Sequence, residues 1–419
     1  MADRLGCRNL AMNGSRLLLL ALVLLLFAPN ADARRRHKRR RGAYVCGRRY
    51  ALTTISITCS RPTHHSLRGV GRFSQLQTLN ILGTQVRDLA PLRHCSSLTT
   101  LNLFRLKGKI DLEPLRHVKT LKQLSVARTT LSDPNQLGVL TGLIQLDLRG
   151  VPLTDLRFIA ALRQLESLAL EEAGVHDLTP LRGLVGLHTL DLSANPVVDL
   201  APLRSLTGLR SLTLANTSVT SLSALAAATK LEILDISGTR IASVTALTNL
   251  HELRSLTARN APVTDLAPLA GLKKLRVLQL SGTRVTDLAP LRGLGGLEEL
   301  FLSRTTIARI DALAALKRLH QLDLSRTAVR ELAPLGQLPM LQHLDVRQTK
   351  VVALGSSCPS PSLMRLRIDG TAITSIAVLA RCAELTELSA VGLKLPPSEI
   401  AALQKARPRI QLRLTADPD

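Results

Sequence analysis

Leucine returns every 22 residues through most of this chain. Leu121, Leu143, Leu165, Leu187, Leu209, Leu231, Leu253, Leu275, Leu297, Leu319, Leu341, Leu363 and Leu385 stand 22 apart. Leu76 and Leu98 keep the same spacing, and one added residue in the segment FRLKGKI separates Leu98 from Leu121. The period gives about fifteen turns between residues 76 and 398, with an irregular turn before them. A unit of this size cannot bury its own leucines, so it must stack on copies of itself.

Residues 275–296, LRVLQLSGTRVTDLAPLRGLGG, show the unit intact. Its L-x-L alternation is that of a strand with one buried face. The T-x-V step turns the chain. Asp287, followed by Leu288-Ala289-Pro290-Leu291, then suits the start of a short helical turn: a carboxylate accepts orphan N–H groups and Pro needs none. Asp88, Asp177, Asp199 and Asp265 repeat the device. Aromatics are 2% of the chain and Trp is absent, so the core must be aliphatic.

On these residues the chain resembles the 22-residue internalin-like class of bacterial leucine-rich-repeat proteins, over about 80% of its length. The resemblance implies an α/β leucine-rich-repeat solenoid, curved and right-handed. A parallel sheet would line its concave face and short 3-10 or helical turns its convex face. It also implies protein binding, often through the concave face. One departure is at the ninth position, where the class carries a ladder of Asn. Here Thr84, Thr129, Thr217, Thr239, Thr283, Thr305, Thr327, Thr349 and Thr371 take that place, and Asn195 is the only Asn. A hydroxyl donates one hydrogen where an amide donates two, so a thinner ladder is expected. The surface-anchoring domains of internalins are absent from the sequence, which argues against host adhesion.

The first 33 residues read as a secretory signal peptide. Arg4, Arg8 and Arg16 precede the apolar run Leu17–Ala28, and Ala31-Asp32-Ala33 fits a cleavage site. Met12 would give a tidier start. The run falls short of the roughly 20 apolar residues of a transmembrane helix, which leaves an uncleaved anchor as the second reading. An exported protein is expected, in the periplasm, on the outer surface or secreted. Residues 34–41, RRRHKRRR, form a basic arm expected to be disordered. Residues 42–75 make an N-terminal cap, with a first strand in LTTISITC, and residues 76–392 the repeats. Residues 393–419 make a C-terminal cap whose helix EIAALQKA would take Ser398 as N-cap and bury Ile400 and Leu403, followed by a strand IQLRL.

The chain has 55 basic and 31 acidic residues, a net charge of +24. Such an excess favours anionic partners. Of the six Cys, Cys7 lies in the signal, and an odd number remains. At least one free or intermolecular thiol is therefore expected. Cys46 with Cys59 is the expected disulfide, and Cys358 with Cys382 is compatible with the period.

A ligand on the concave face would meet the residues that flank each L-x-L. Most are small and polar, as with Ser125, Ala169, Ser193, Thr213, Ser237 and Ser281. Two Phe stand out, each with arginines nearby, and binding energy concentrates in aromatic and Arg anchors. The principal candidates are Phe301, Arg304, Asp323, Arg326, His343, Asp345, Arg347, Arg365 and Arg367. Phe104, Arg105, Arg128 and Arg149 form a second set. Against a binding role, Asp323, Asp345, Arg326, Arg347 and Arg367 are spaced to neutralise one another across strands.

No enzyme activity is expected. No phosphate loop, dinucleotide fingerprint, nucleophile elbow or zinc-protease motif occurs. Cys95 beside His94, with His117 one turn on, offers a nucleophile or metal pair, but surface histidines on solvated turns are the expected reading. No cofactor or metal is expected. The expected partner is a protein ligand of acidic character. The alternative is a structural envelope protein held by residues 34–41 to an anionic membrane surface or polysaccharide. Nucleic acid is disfavoured, because single-strand binders interleave aromatics with their cations.

Overall fold

The computed structural model describes residues 42–415. The signal peptide and the basic arm expected before residue 42 lie outside the described residues. Among those described, no helix is long and apolar enough to cross a membrane.

Each turn gives one short strand, and 17 strands join in one parallel sheet running from Ser56–Cys59 to Gln411–Arg413. Fifteen of them belong to the repeats and one to each cap. The register follows the period: Leu278, Leu300, Leu322 and Leu344 face one another across successive strands. These leucines point inward and are buried, while their neighbours at either side face outward, as strand alternation requires. Inter-turn hydrogen bonds continue past the strand, as from Gly282 N–H to the Ser303 carbonyl at 2.8 Å.

The opposite face is built of 3-10 turns such as Ala289–Gly293. Asp287 Oδ1 accepts the Ala289 N–H at 2.8 Å, and Asp88, Asp177, Asp199 and Asp265 make the same bond two residues on. Leu291 and Leu294 then return the chain to the core. Residues 352–362 carry no 3-10 turn; here the Cys358–Cys382 disulfide, with Cα atoms 5.3 Å apart, ties the segment to the next turn. The buried Ser360 donates to the Leu338 carbonyl at 2.9 Å and fixes it on the other side.

The ninth position divides by chemistry. Thr217, Thr239, Thr283, Thr305, Thr327, Thr349 and Thr371 each donate to a carbonyl three residues back in their own turn, at 2.6–2.7 Å. Asn195 reaches into the preceding turn as well. Its amide donates to the carbonyls of Leu170 (2.7 Å), Leu192 and Ser193 (3.0 Å each). Its carbonyl accepts from the N–H groups of Ala173 (3.1 Å) and Val175 (2.9 Å). Thr129 also crosses, donating to Leu103 at 2.8 Å and accepting from Leu106. The ladder is thinner, as expected, and its bonds lie mostly within single turns.

A hairpin, Gly42–Val45 with Arg48–Ala51, opens the N-terminal cap. Its two-residue turn is Cys46-Gly47, both at positive φ, which suits the twist of a tight hairpin. The Cys46–Cys59 disulfide, Cα atoms 5.5 Å apart, fastens it to the first strand of the sheet. That strand is shorter than LTTISITC, because Thr54 N–H bonds the Ala51 carbonyl and closes a turn ahead of it. At the far end the helix Pro397–Ala406 begins one residue before Ser398, so Pro396 and not Ser398 is the N-cap. Proline at the first position needs no acceptor, and this allows the earlier start. Leu403 is buried and Ile400 half-buried. Glu399 accepts from Ser375 Oγ and Ile376 N–H and so binds the helix to the last repeat.

Candidate functional site

The principal candidates lie on four consecutive strands and their exits, and two further strands extend the same face. Phe301, Asp323, Asp345, Arg367, Ser389 and Arg413 form one row in register, and Glu299, Gln321, His343, Arg365, Glu387 and Gln411 form a parallel row. Just beyond the strands come Ser303, Ser325, Arg347, Asp369 and Val391, then Arg304, Arg326 and Gln348. Part of this face forms an open depression of about 560 Å³, lined by Arg304, Arg326, Arg347, Arg367 and Arg413 and by Asp323, Asp369 and Glu387. Phe301, His343, Asp345 and Arg365 share the face but do not line the depression.

The charges are only partly compensated. Arg347 is held by Asp345, two residues back, with Nη2 to Oδ2 at 2.7 Å, and its Nε lies 4.0 Å from Asp369. This pairing raises the Arg347 pKa further. Arg367 stands 3.8 Å from Glu387. Arg326 donates to Gln348 Oε1 at 2.6 Å, and neither it nor Arg304 has a carboxylate partner among the described residues. Compensation across strands is partial: Arg347 approaches Asp369 and Arg367 approaches Glu387 in the next turn, whereas Asp323 faces Asp345 directly and the shortest pair, Arg347–Asp345, lies within one strand and its exit. Burial pushes the Asp323 pKa up; hydrogen bonds from Ser325 oppose this and the Asp345 charge adds to it. His343 takes a hydrogen bond from Arg365 Nε on Nδ1 at 3.0 Å. Its pKa is lowered by burial first and by Arg365 second.

The second set is more dispersed. Phe104 is exposed beside Leu82, its partner in register. Arg149 is committed to Asp147 through two bonds, Nε to Oδ1 at 2.9 Å and Nη2 to Oδ2 at 2.8 Å. Arg105 and Arg128 make no ion pair among the described residues.

One backbone position links the two sets. In every turn the residue just before the ninth position has positive φ. Gly83, Gly150, Gly238, Gly282, Gly370 and Gly392 fill it in six turns. In nine it is Arg105, Arg128, Glu172, Ala194, Asn216, Asn260, Arg304, Arg326 and Gln348. Glycine adopts this conformation freely and Asn tolerates it, whereas a long side chain is strained there by about 1 kcal/mol. Four of the nine are Arg, in two adjacent pairs, one beside each exposed or half-buried Phe. Arg304→Gly and Arg326→Gly should each raise stability by about 1 kcal/mol, read by urea denaturation, although glycine usually weakens a fold. A lower midpoint for both would show that the arginines are held without strain. The sequence did carry a signal here: eight of these fifteen positions are Gly or Asn.

Cys95 is buried and donates only a long 3.8 Å contact to the Val70 carbonyl; burial pushes its thiol up to about 11. It is no thiolate at neutral pH, and His94 and His117 are exposed. Among the described residues no cluster of three or more His, Cys, Asp or Glu is placed to hold a metal.

With this geometry in view, the likeness to known structures is informative. No protein-family model matches the chain, and no curated protein matches it in sequence. Among solved structures it is similar to an internalin from Listeria monocytogenes, at 25% identity and a TM-score of 0.65, over 71% of this chain and 90% of that one. It is also similar to a leucine-rich-repeat protein from Leptospira interrogans, at 22% identity and a TM-score of 0.70, over 86% and 89%. A plant peptide hormone receptor solved in complex with its peptide matches at 18% identity and a TM-score of 0.59, over 82% and 67%. The fold is thus an internalin-like leucine-rich-repeat solenoid.

Proposed function

We propose that this chain is an exported, non-catalytic solenoid that binds an acidic protein ligand in the depression beside Phe301. The observation that carries the reading is the pair Arg304 and Arg326. Both lack a carboxylate partner among the described residues, both line the depression, and both sit at a backbone position that disfavours them. Strain kept at a surface that needs no arginine for folding points to use by a ligand. The plant receptor with its bound peptide supports a protein or peptide partner in general. Export rests on the signal sequence and on the likeness to an internalin.

The test begins with crosslinking and mass spectrometry on the native chain to recover the partner. The variant Arg304→Ala, Arg326→Ala, Arg347→Ala is then titrated against that partner. Affinity should fall at least about 100-fold, since interface arginines at hot spots contribute 2 kcal/mol or more each. An unchanged affinity, with crosslinks mapping elsewhere, removes the depression as the site.

A further inference from the structure

The concave patch leaves the most lopsided charge in the chain unexplained. Residues 33–87 contain 13 Lys and Arg and no Asp or Glu, over half of the net +24. Seven of these cations lie in residues 34–41, outside the described residues. Five more, Arg48, Arg49, Arg61, Arg68 and Arg72, are exposed on the folded N-terminal cap. Among the described residues none of the five has an ion pair or a side-chain hydrogen bond. The repeats, although some of their arginines are also unpaired, have acidic residues interspersed among them. There Glu232 takes Arg210 and Arg254 at 2.7 and 3.3 Å, and Glu298 takes Arg276 and Arg318 at 3.5 and 3.1 Å. A general surplus of arginine would spare neither region its acids, so the bare cap is a local property.

The five arginines surround one hairpin. Tyr44 is in register with Arg49, and Val45 with Arg48. Alternation buries Ala43 and Val45, which turns Tyr44 outward with 67% of its surface exposed. The hairpin turn lies on His64, whose Nε2 would stand 3.3 Å from a Cβ at Gly47. Arg61 and Arg48 are near enough to His64 to act with burial in lowering its pKa. The turn Val70–Arg72 packs on the strand Gly42–Val45 and brings Arg68 and Arg72 to the same hairpin. Ile55, 52% exposed, follows the bond from Thr54 N–H to the Ala51 carbonyl, at the hairpin's open end.

We propose that this cap is a docking surface for an anionic lipid bilayer. Unpaired guanidinium groups meet phosphate headgroups, and each contributes about a fivefold gain near a charged surface. Tyr44 and Ile55 supply what a bilayer accepts and a soluble polyanion does not: an amphipathic ring for the interface and an aliphatic group for the acyl boundary. A single-stranded nucleic acid would need more stacking platforms than the one exposed ring.

The test uses the full chain and phosphatidylcholine vesicles with and without phosphatidylglycerol. A variant with Arg48, Arg49, Arg61, Arg68 and Arg72 all changed to Gln should bind the anionic vesicles at least about fiftyfold more weakly. Binding to the neutral vesicles, which reports the apolar run at residues 17–28, should not change. Tyr44→Ser with Ile55→Ser should weaken vesicle binding and leave heparin binding intact. The Arg304, Arg326, Arg347 alanine variant should bind vesicles like the wild type, so this result is independent of the ligand in the depression. Full affinity for anionic vesicles in the five-glutamine variant would overturn the proposal. So would vesicle binding unaffected by the Tyr44 and Ile55 changes, which would indicate a soluble polyanion instead. The replaced side chains are exposed, and an unchanged thermal melt verifies the fold.

Discussion

Asn195→Ala should destabilise the solenoid by about 3 kcal/mol and split its unfolding into two phases. The substitution strands the Leu192 carbonyl and the Val175 N–H, both in buried residues and both served by the Asn195 amide, and leaves the Leu170 carbonyl with only its 3.2 Å bond from the Ala173 N–H. Each orphaned group costs about 1–3 kcal/mol. Asn195→Thr should lose less, because a hydroxyl can still reach the Leu192 carbonyl as the threonines elsewhere reach theirs. The Val175 N–H would remain unserved. The expected shape of the transition follows from the architecture. Turns touch only their neighbours, so a weakened contact divides the array into two blocks that melt separately. Urea unfolding monitored by circular dichroism distinguishes the cases: a single transition at the wild-type midpoint would mean that Asn195 does not couple its two turns.

The second large effect is at the N-terminal end. Cys46→Ser with Cys59→Ser should cost about 3 kcal/mol, the chain-entropy value for a short closed loop. The two cysteines are 13 residues apart in sequence, and the loop they close includes the second hairpin strand and the turn at Thr54. Without the bond the hairpin can lift from the end of the sheet and expose Val45, Ile57 and Phe73, all buried in the native cap. Limited proteolysis should then cut first within residues 42–56, before any cut in the repeats. Protection equal to that of the wild type would show that packing alone holds the cap. Cys358–Cys382 should behave more mildly in this assay, because repeats flank it on both sides.

Much of this architecture could be read from the leucine period. Fifteen in-phase turns determine strand, register and buried face together, since a slip of one residue would expose every leucine. The aspartate–proline turns were equally legible, because a carboxylate two residues ahead of a free N–H has one local use. The candidate site was legible only in part. Arithmetic in steps of 22 put Arg304 beside Arg326, and Asp323 beside Asp345 and Arg367, with Arg347 one residue out of step with Arg326. It missed Arg413, which stands 24 residues beyond Ser389 because the cap helix intervenes. Asp369 and Glu387 were missed as well, although they lie in step with Arg347 and Arg365. The pairing of charges was the least legible feature. Whether Arg347 turns to Asp345 in its own turn or to a neighbouring strand depends on side-chain torsion, and no spacing encodes that.

The unbroken register has a metric consequence. Nine strand steps separate Thr100–Phe104 from Glu299–Phe301. At about 4.8 Å per step, the two phenylalanines stand roughly 40 Å apart along the sheet. The intervening turns, with their small and polar face, act as a ruler of fixed length. One partner spanning both marks would need about a dozen residues of extended chain. Removing a single 22-residue turn would shorten the ruler by one graduation and leave each mark intact.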